Sequence, residues 1–385
     1  MKAAVQARLP ELSARERFRL RWVAFGWMIG VTVVSGINLA LKKPTTSLEG
    51  YPELAGHTIT FVVTFTTVTG VLALIFKFPA VVLMGPWLER KLRGEVRKVR
   101  LRDVFHAGIR RAVFWGGSLQ ALYQMGVIGL VAYVSPSGIS AARACVIVPL
   151  AFLEWHTRML KPSGARWWLR LIASMTFTIS GAFIVIFEGG FKLVKEGGLW
   201  PIVLLIALTM VGNFLLAYAE IHEYWGVHDL KAAAPVYSLA RVMMHAAACC
   251  VGLLIVGLLW QRWDVMWGTV VLCWDRWWLV LPVALFGAIT DTSRICVKAL
   301  ITATYMYMML GMSTVVDILL QIPLKRFFPD IYDNVHPGWH TVFVAAMGAT
   351  LLMTGIRLYP FARDDDPKAP QPAAPVGGPI PVFRS

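Results

Sequence analysis

Ionisable side chains inside long apolar stretches of this chain include Lys77, Arg143, Arg241, Asp291, Arg294 and Asp317. An ionised group at bilayer depth costs about 2.5–3.5 kcal/mol on insertion scales, so each needs a partner, a polar cavity or a way back to the interface. Arg143 sits about five residues into an apolar stretch, roughly 7–8 Å deep at 1.5 Å per residue. It either snorkels or faces a central cavity and holds an anionic substrate. Arg241 lies about ten residues into its stretch, with His245 one turn further on the same face. That depth points to a cavity or an ion pair over lipid. Asp291, Arg294 and Lys298 recur at i, i+3 and i+7 and share one helical face. Asp291 and Arg294 either neutralise each other or meet a substrate, and Lys298 reads as an interface anchor. Asp317 has no charged neighbour within a turn. A lone carboxylate there either carries a proton or pairs with Arg241 or Arg294.

Uncharged polar groups extend this set. Gln120, Tyr123 and Gln124 line one side of a helix, and Asn38 and Asn213 lie in two others. Such groups glue helices together or line a polar cavity. Glu220, His222 and Glu223, with His228 and Asp229 nearby, crowd a span end, but their spacing fits no metal-ligand motif. Asp364-Asp365-Asp366 lies in a Pro/Ala-rich tail and reads as a solvated acidic patch. The five cysteines form no spaced framework, so no disulfide or metal site is expected. No HExxH or GxSxG pattern stands at a span end. The expectation is a non-enzyme without cofactor.

The elements that hold these residues are membrane helices. Hydrophobic residues make up 57% of the chain and charged residues 15%, against about 25% charged in a soluble domain. Mean hydropathy is +0.62. The apolar stretches are continuous, which excludes a membrane β-barrel. Spans are predicted at about residues 22–41, 58–86, 112–134, 138–160, 167–187, 199–225, 232–260, 277–298, 302–324 and 339–359. Residues 1–21 form a basic cytoplasmic N-terminal segment. Residues 360–385 form a Pro/Ala/Gly-rich tail, expected to be disordered and cytoplasmic.

The net charge of +15 is distributed by topology. With both termini on one side, 25 Lys and Arg fall on that side and 8 on the other. This makes the first side cytoplasmic and makes the run Arg90–Arg102 a loop against anionic lipid, with no role in nucleic-acid binding. A bacterial cytoplasmic (inner) membrane is the simplest location for this chain.

The layout repeats. Without gaps, residues 131–155 overlay residues 297–321: a helix, a very short turn, and an apolar helix with one internal charge, Arg143 or Asp317. Each copy leads to a final helix carrying small residues, Ser180-Gly181-Ala182 in one and Gly348-Ala349 with Gly355 in the other. Two five-span halves, 22–187 and 199–359, are then inverted relative to each other, an arrangement that puts substrate near the bilayer midplane. Ala132-Tyr133-Val134-Ser135, Ala141-Ala142, Pro149 and Gly181 follow the third-to-fifth-span pattern of a known group. On these residues the chain resembles the drug/metabolite transporter superfamily, and within it the EamA-like ten-helix transporters. It departs from them after the fourth span, where Glu154-Trp155-His156-Thr157-Arg158 replaces a Gly-Glu-Arg-like motif. The resemblance implies an all-α integral membrane protein of ten helices in two inverted repeats, working by alternating access. The excess of buried cations points to an anionic or zwitterionic metabolite, bound by Arg143, Arg241, Arg294, Gln124 and Tyr123. Asp317 and Asp291 are candidates for proton coupling, exchange or ion pairing. Membrane lipid is the other expected partner, and the fold allows a homodimer. The alternative is a non-transporting scaffold that retains the fold, with its buried charges paired off.

Overall fold

The computed structural model describes residues 14–48, 50–93, 107–131, 144–157, 164–189, 199–229, 232–298, 302–330, 332 and 339–360. All regular structure among them is helical: α1 (Ala14–Thr46), α2 (Pro52–Ala55), α3 (Thr58–Arg93), α4 (Ala107–Val131), α5 (Ile147–His156), α6 (Ala165–Gly189), α7 (Leu199–Tyr224), α8 (Ala234–Trp260), α9 (Trp263–Asp275), α10 (Trp277–Lys298), α11 (Ala303–Leu310), α12 (Ser313–Phe327) and α13 (Trp339–Leu358). A π-helical turn, Trp225–Asp229, continues α7. Among the described residues, seven helices or helix pairs are long and apolar enough to cross a bilayer: α1, α3, α6, α8, α10, α11 with α12, and α13. Their outward faces carry large apolar side chains such as Ile75, Leu254, Leu258 and Phe343. Such a surface is stable only in lipid, so the chain is an all-α integral membrane protein. Residues 1–13 and 361–385, and with them most of the basic N-terminal segment and the acidic tail, lie outside the described residues.

Small residues set the tightest helix contacts. α6 packs along α13, where a Cβ added at Gly181 would stand 2.8 Å from the Gly348 carbonyl oxygen and 2.9 Å from the Leu352 nitrogen. The backbones therefore touch, as small-residue helix pairs do in membranes. Ser174 donates to the Gly355 carbonyl across the same seam. α3 packs on α8, α1 on α10, and α4 on α7. α8 also contacts α4, and α10 contacts α3.

Three expectations are corrected here. The first helix does not stop at Leu41; it begins at Ala14 and runs to Thr46, with Pro44 inside it. The stretch between the seventh and eighth spans, expected to be a loop, holds α9. This helix buries Val265, Met266, Leu272 and Cys273 and turns Trp263, Trp267, Val270 and Trp274 outward. Those outward positions follow i, i+4, i+7 and i+11, so a helix one face apolar to the core and the other aromatic was within reach of the sequence. The ninth span is not one continuous helix. It tightens at Gly311-Met312, where backbone bonds shift to i−3 partners (Met312 N–H to Met309 O, 3.1 Å; Thr314 N–H to Gly311 O, 3.1 Å). Gly311 lies there against Leu352, at 3.0 Å from an added Cβ. A similar turn at Cys145-Val146 precedes α5.

Candidate functional site

A chain of ion pairs runs through the middle of the molecule. It links four cations, Lys77 of α3, Arg241 of α8, and Arg294 and Lys298 of α10, to three carboxylates, Glu220 and Glu223 of α7 and Asp291 of α10. Lys77 and Arg241 both pair with Asp291. Arg241 also reaches Glu223 at 3.1 Å. Arg294 pairs with Glu220 and approaches Glu223 at 4.0 Å. Lys298 bridges Glu220 and Glu223. Every member is buried except Asp291, whose side chain keeps 14% of its surface. Tyr307 donates its hydroxyl to Glu220 at 2.7 Å, and the Arg294 guanidinium lies 5.4 Å from the centre of the Tyr307 ring.

Helix periodicity builds this network. Glu220 and Glu223 are three apart on α7, and Arg294 and Lys298 are four apart on α10, so each pair projects from one face as two rungs. The helices come close because glycines face the rungs. A Cβ on Gly117 of α4 would sit 2.8 Å from the Arg241 carbonyl oxygen and 2.7 Å from the Met244 Cβ. One on Gly116 would sit 3.1 Å from the Glu223 Cγ.

A partly open cavity of about 110 Å³ with a mixed polar and apolar lining adjoins the network, between α1, α3, α4, α8 and α10. Its polar wall is Asn38, Lys42, Gln120, Gln124, Arg241, His245 and Asp291. Lys42 donates to the Gln124 side-chain oxygen at 3.4 Å, and Asn38 donates to the Val283 carbonyl at 3.0 Å. The Gln120 side-chain oxygen, His245 Nδ1 and Arg241 Nε are buried there without a hydrogen-bond partner among the described residues. Buried polar atoms are normally satisfied, so these three orphans are a cost of packing polar side chains beside the cavity. Along α3 and α10 the cavity spans residues 65–73 and 283–291. The network continues past those stretches at Lys77 and at Arg294 and Lys298.

The candidates from the sequence divide accordingly. Arg241, Gln124 and Asp291 meet at the cavity. Arg294 is one helical turn below, bound to Glu220 and away from the cavity wall. Tyr123 is buried in the apolar core with Leu216 and Tyr307 and does not line the cavity. Arg143 lies outside the described residues. Asp291 and Arg294 do not neutralise each other; each is bound by a different helix. Lys298 is no interface anchor but a fully buried member of the network. Asp317 pairs with neither Arg241 nor Arg294. It accepts from Gln321 Nε2 at 3.1 Å, and its other oxygen has no hydrogen-bond partner among the described residues. Among the described residues no cluster of His, Cys, Asp or Glu could hold a metal ion.

The sequence reading places Lys77 inside the apolar stretch 58–86 with the other internal charges, but gives no signal of its role. It also missed the role of Glu220 and Glu223, whose i, i+3 spacing matches the cationic face of α10. A further buried carboxylate, Glu154 of α5, accepts from the Thr304 backbone N–H at 3.2 Å and from the Thr304 hydroxyl. It joins α5 to the first turn of α11, where the helix dipole favours an anion.

No family model matches this chain, and no curated protein matches it. Among solved structures, one described only as the crystal structure of a protein aligns over 85% of this chain and 95% of its own, at 13% identity and a TM-score of 0.46. So loose a likeness carries no argument.

Proposed function

We propose that the chain is a secondary transporter that moves a small anionic or zwitterionic metabolite by alternating access. The observation that carries this reading is the cavity itself. It is small and partly open, it carries Lys42, Gln124, Arg241, His245 and Asp291 on its wall, and an ion-pair network lies next to one end of it. An inverted repeat of two five-helix halves, of the drug/metabolite transporter kind, accounts for the neighbours. If each helix of the first half has a counterpart in the second, α1 against α10 answers α7 against α4, and α8 against α4 answers α3 against α10. α3 with α8 and α6 with α13 are then the pairs that lie on the pseudo-twofold axis. The ungapped overlay of 131–155 on 297–321 also sets Cys145-Val146 on Gly311-Met312, the two places where helix geometry tightens. With the basic loops in the cytoplasm of a bacterial inner membrane and both termini there, the network becomes the cytoplasmic plug of the cavity. Alternating access then requires those pairs to part.

The test is uptake into proteoliposomes of small labelled carboxylates, amino acids and sugar phosphates. We expect saturable uptake of one anionic or zwitterionic class, abolished by Arg241→Ala. The second reading, a scaffold that retains the fold, is favoured by the pairing of every charge in the network. It prevails if no class is taken up by folded protein.

A further inference from the structure

The network is out of balance. With every group ionised, its four cations exceed its three carboxylates by one, and all but Asp291 are buried. An uncompensated charge at this depth is costly, and a protein removes it by losing a proton or by gaining a counter-ion. Which cation can yield is set by chemistry and by contact. Arg241 and Arg294 are guanidinium groups, which do not deprotonate in proteins. Lys298 is held by two carboxylates, Glu220 and Glu223. Lys77 touches a single carboxylate, Asp291, and shares it with Arg241. The other titratable or charged groups facing Lys77 are Arg241 and His245 from α8, Glu223 from α7, and Arg294 and Cys296 from α10. Lys77 is therefore the least compensated cation and the one able to become neutral.

The counter-ion has a place waiting for it. Asp291 and Arg241 line the cavity next to Lys77. Lys42 adds a second cation to the same wall. The cavity offers about 110 Å³ to a guest. It therefore suits a carboxylate of about two to four carbons.

We propose that Lys77 couples protons to the cavity. It is a neutral amine while the cavity is empty and takes one proton from water when a small monocarboxylate binds against Arg241, so that one proton accompanies one anion. This rests on the transport reading above and gives it a substrate class and a stoichiometry. Because the bound state holds one more proton than the empty one, affinity must rise as pH falls.

The experiment measures binding of acetate, lactate and pyruvate to the purified full-length chain by calorimetry at pH 6, 7 and 8. Buffers of different ionisation enthalpy report the protons taken up. We expect about tenfold tighter binding per unit fall in pH and one proton per carboxylate. Lys77→Arg, which holds the charge permanently, is expected to bind with a pH-independent affinity and no proton uptake. Lys77→Met, which leaves the network balanced and folded, is expected to lose binding at least tenfold. The inference is overturned if none of the three carboxylates binds, or if the wild type binds without taking up a proton. It is equally overturned if Lys77→Arg still takes up a proton, which would assign the proton to His245. Proton-linked binding without translocation in proteoliposomes would uphold Lys77 and remove only the transport reading.

Discussion

Replacing Glu220 by Gln tests whether the ion pairs are held as a buried unit. Glu220 receives Arg294, Lys298 and the Tyr307 hydroxyl and is fully buried. With Lys77 neutral, the amide leaves three cations, Arg241, Arg294 and Lys298, sharing two carboxylates, so a balanced network gains one uncompensated positive charge. Breaking a buried pair from one side costs about 3–5 kcal/mol, because the remaining charge keeps its desolvation penalty and loses its partner. At about 2 °C per kcal/mol for a chain of this size, melting in mild detergent, followed by tryptophan fluorescence, should fall by about 6–10 °C. Adding Lys298→Met restores the balance, two cations against two carboxylates. The double variant should regain at least half of the loss, a coupling of about 2 kcal/mol or more. If Glu220→Gln melts within about 2 °C of wild type, or if the two substitutions simply add, the charges are not sharing one dry environment. The argument from imbalance would then fail with it.

Other substitutions address other parts of the fold. Gly117→Ala forces a methyl group against the Arg241 carbonyl and Met244; a loss of about 1–3 kcal/mol is expected from overpacking. The control Gly126→Ala, with open space around it, should be neutral in the same melting assay. Thr304→Val removes the hydroxyl that Glu154 accepts and should cost about 1.5–3 kcal/mol, as for other hydrogen bonds to a charged group; Thr304→Ser should restore wild-type melting. Trp267 and Trp274 are 70% and 77% exposed on α9. Replacing both with Phe should remove a large part of the tryptophan quenching by lipids brominated near the headgroup, and unchanged quenching would mean that this face does not meet lipid.

What the sequence made legible was mostly one-dimensional. A charge inside an apolar stretch stands out whatever the fold, and this marked Arg241 and Arg294, which are buried, and Asp291, which is nearly so, as residues with partners or a cavity. Periodicity also put Asp291, Arg294 and Lys298 on one face. It could not say which helix that face meets, so Asp291 was matched to its neighbour Arg294 when its partners lie on α3 and α8. Glu220 and Glu223 were read as sitting at a membrane end because the span was closed at Trp225. The chain instead continues through the π-turn to Asp229, and the two carboxylates face α10. α9 was lost because Arg262, Asp264, Asp275 and Arg276 bracket it and look like loop residues, although the apolar stripe between them is helical. The shift in geometry at Gly311-Met312 has no composition signal beyond one glycine among many.

The shared carboxylates also limit how this sequence can drift over generations. Apart from Lys77, a member of the network is not exchanged alone without cost: losing Glu220 takes a carboxylate from Arg294 and Lys298 at once, and losing Asp291 takes one from Lys77 and Arg241. Viable descendants reach a new arrangement only when a cation and an anion change together, or when a milder intermediate such as Lys to Gln opens the way. Positions on α3, α7, α8 and α10, far apart in the chain, are thereby bound to a common history. In any collection of descendants they should vary as correlated pairs, with Lys298 following Glu220 and Lys77 following Asp291, while the lipid-facing residues beside them change freely.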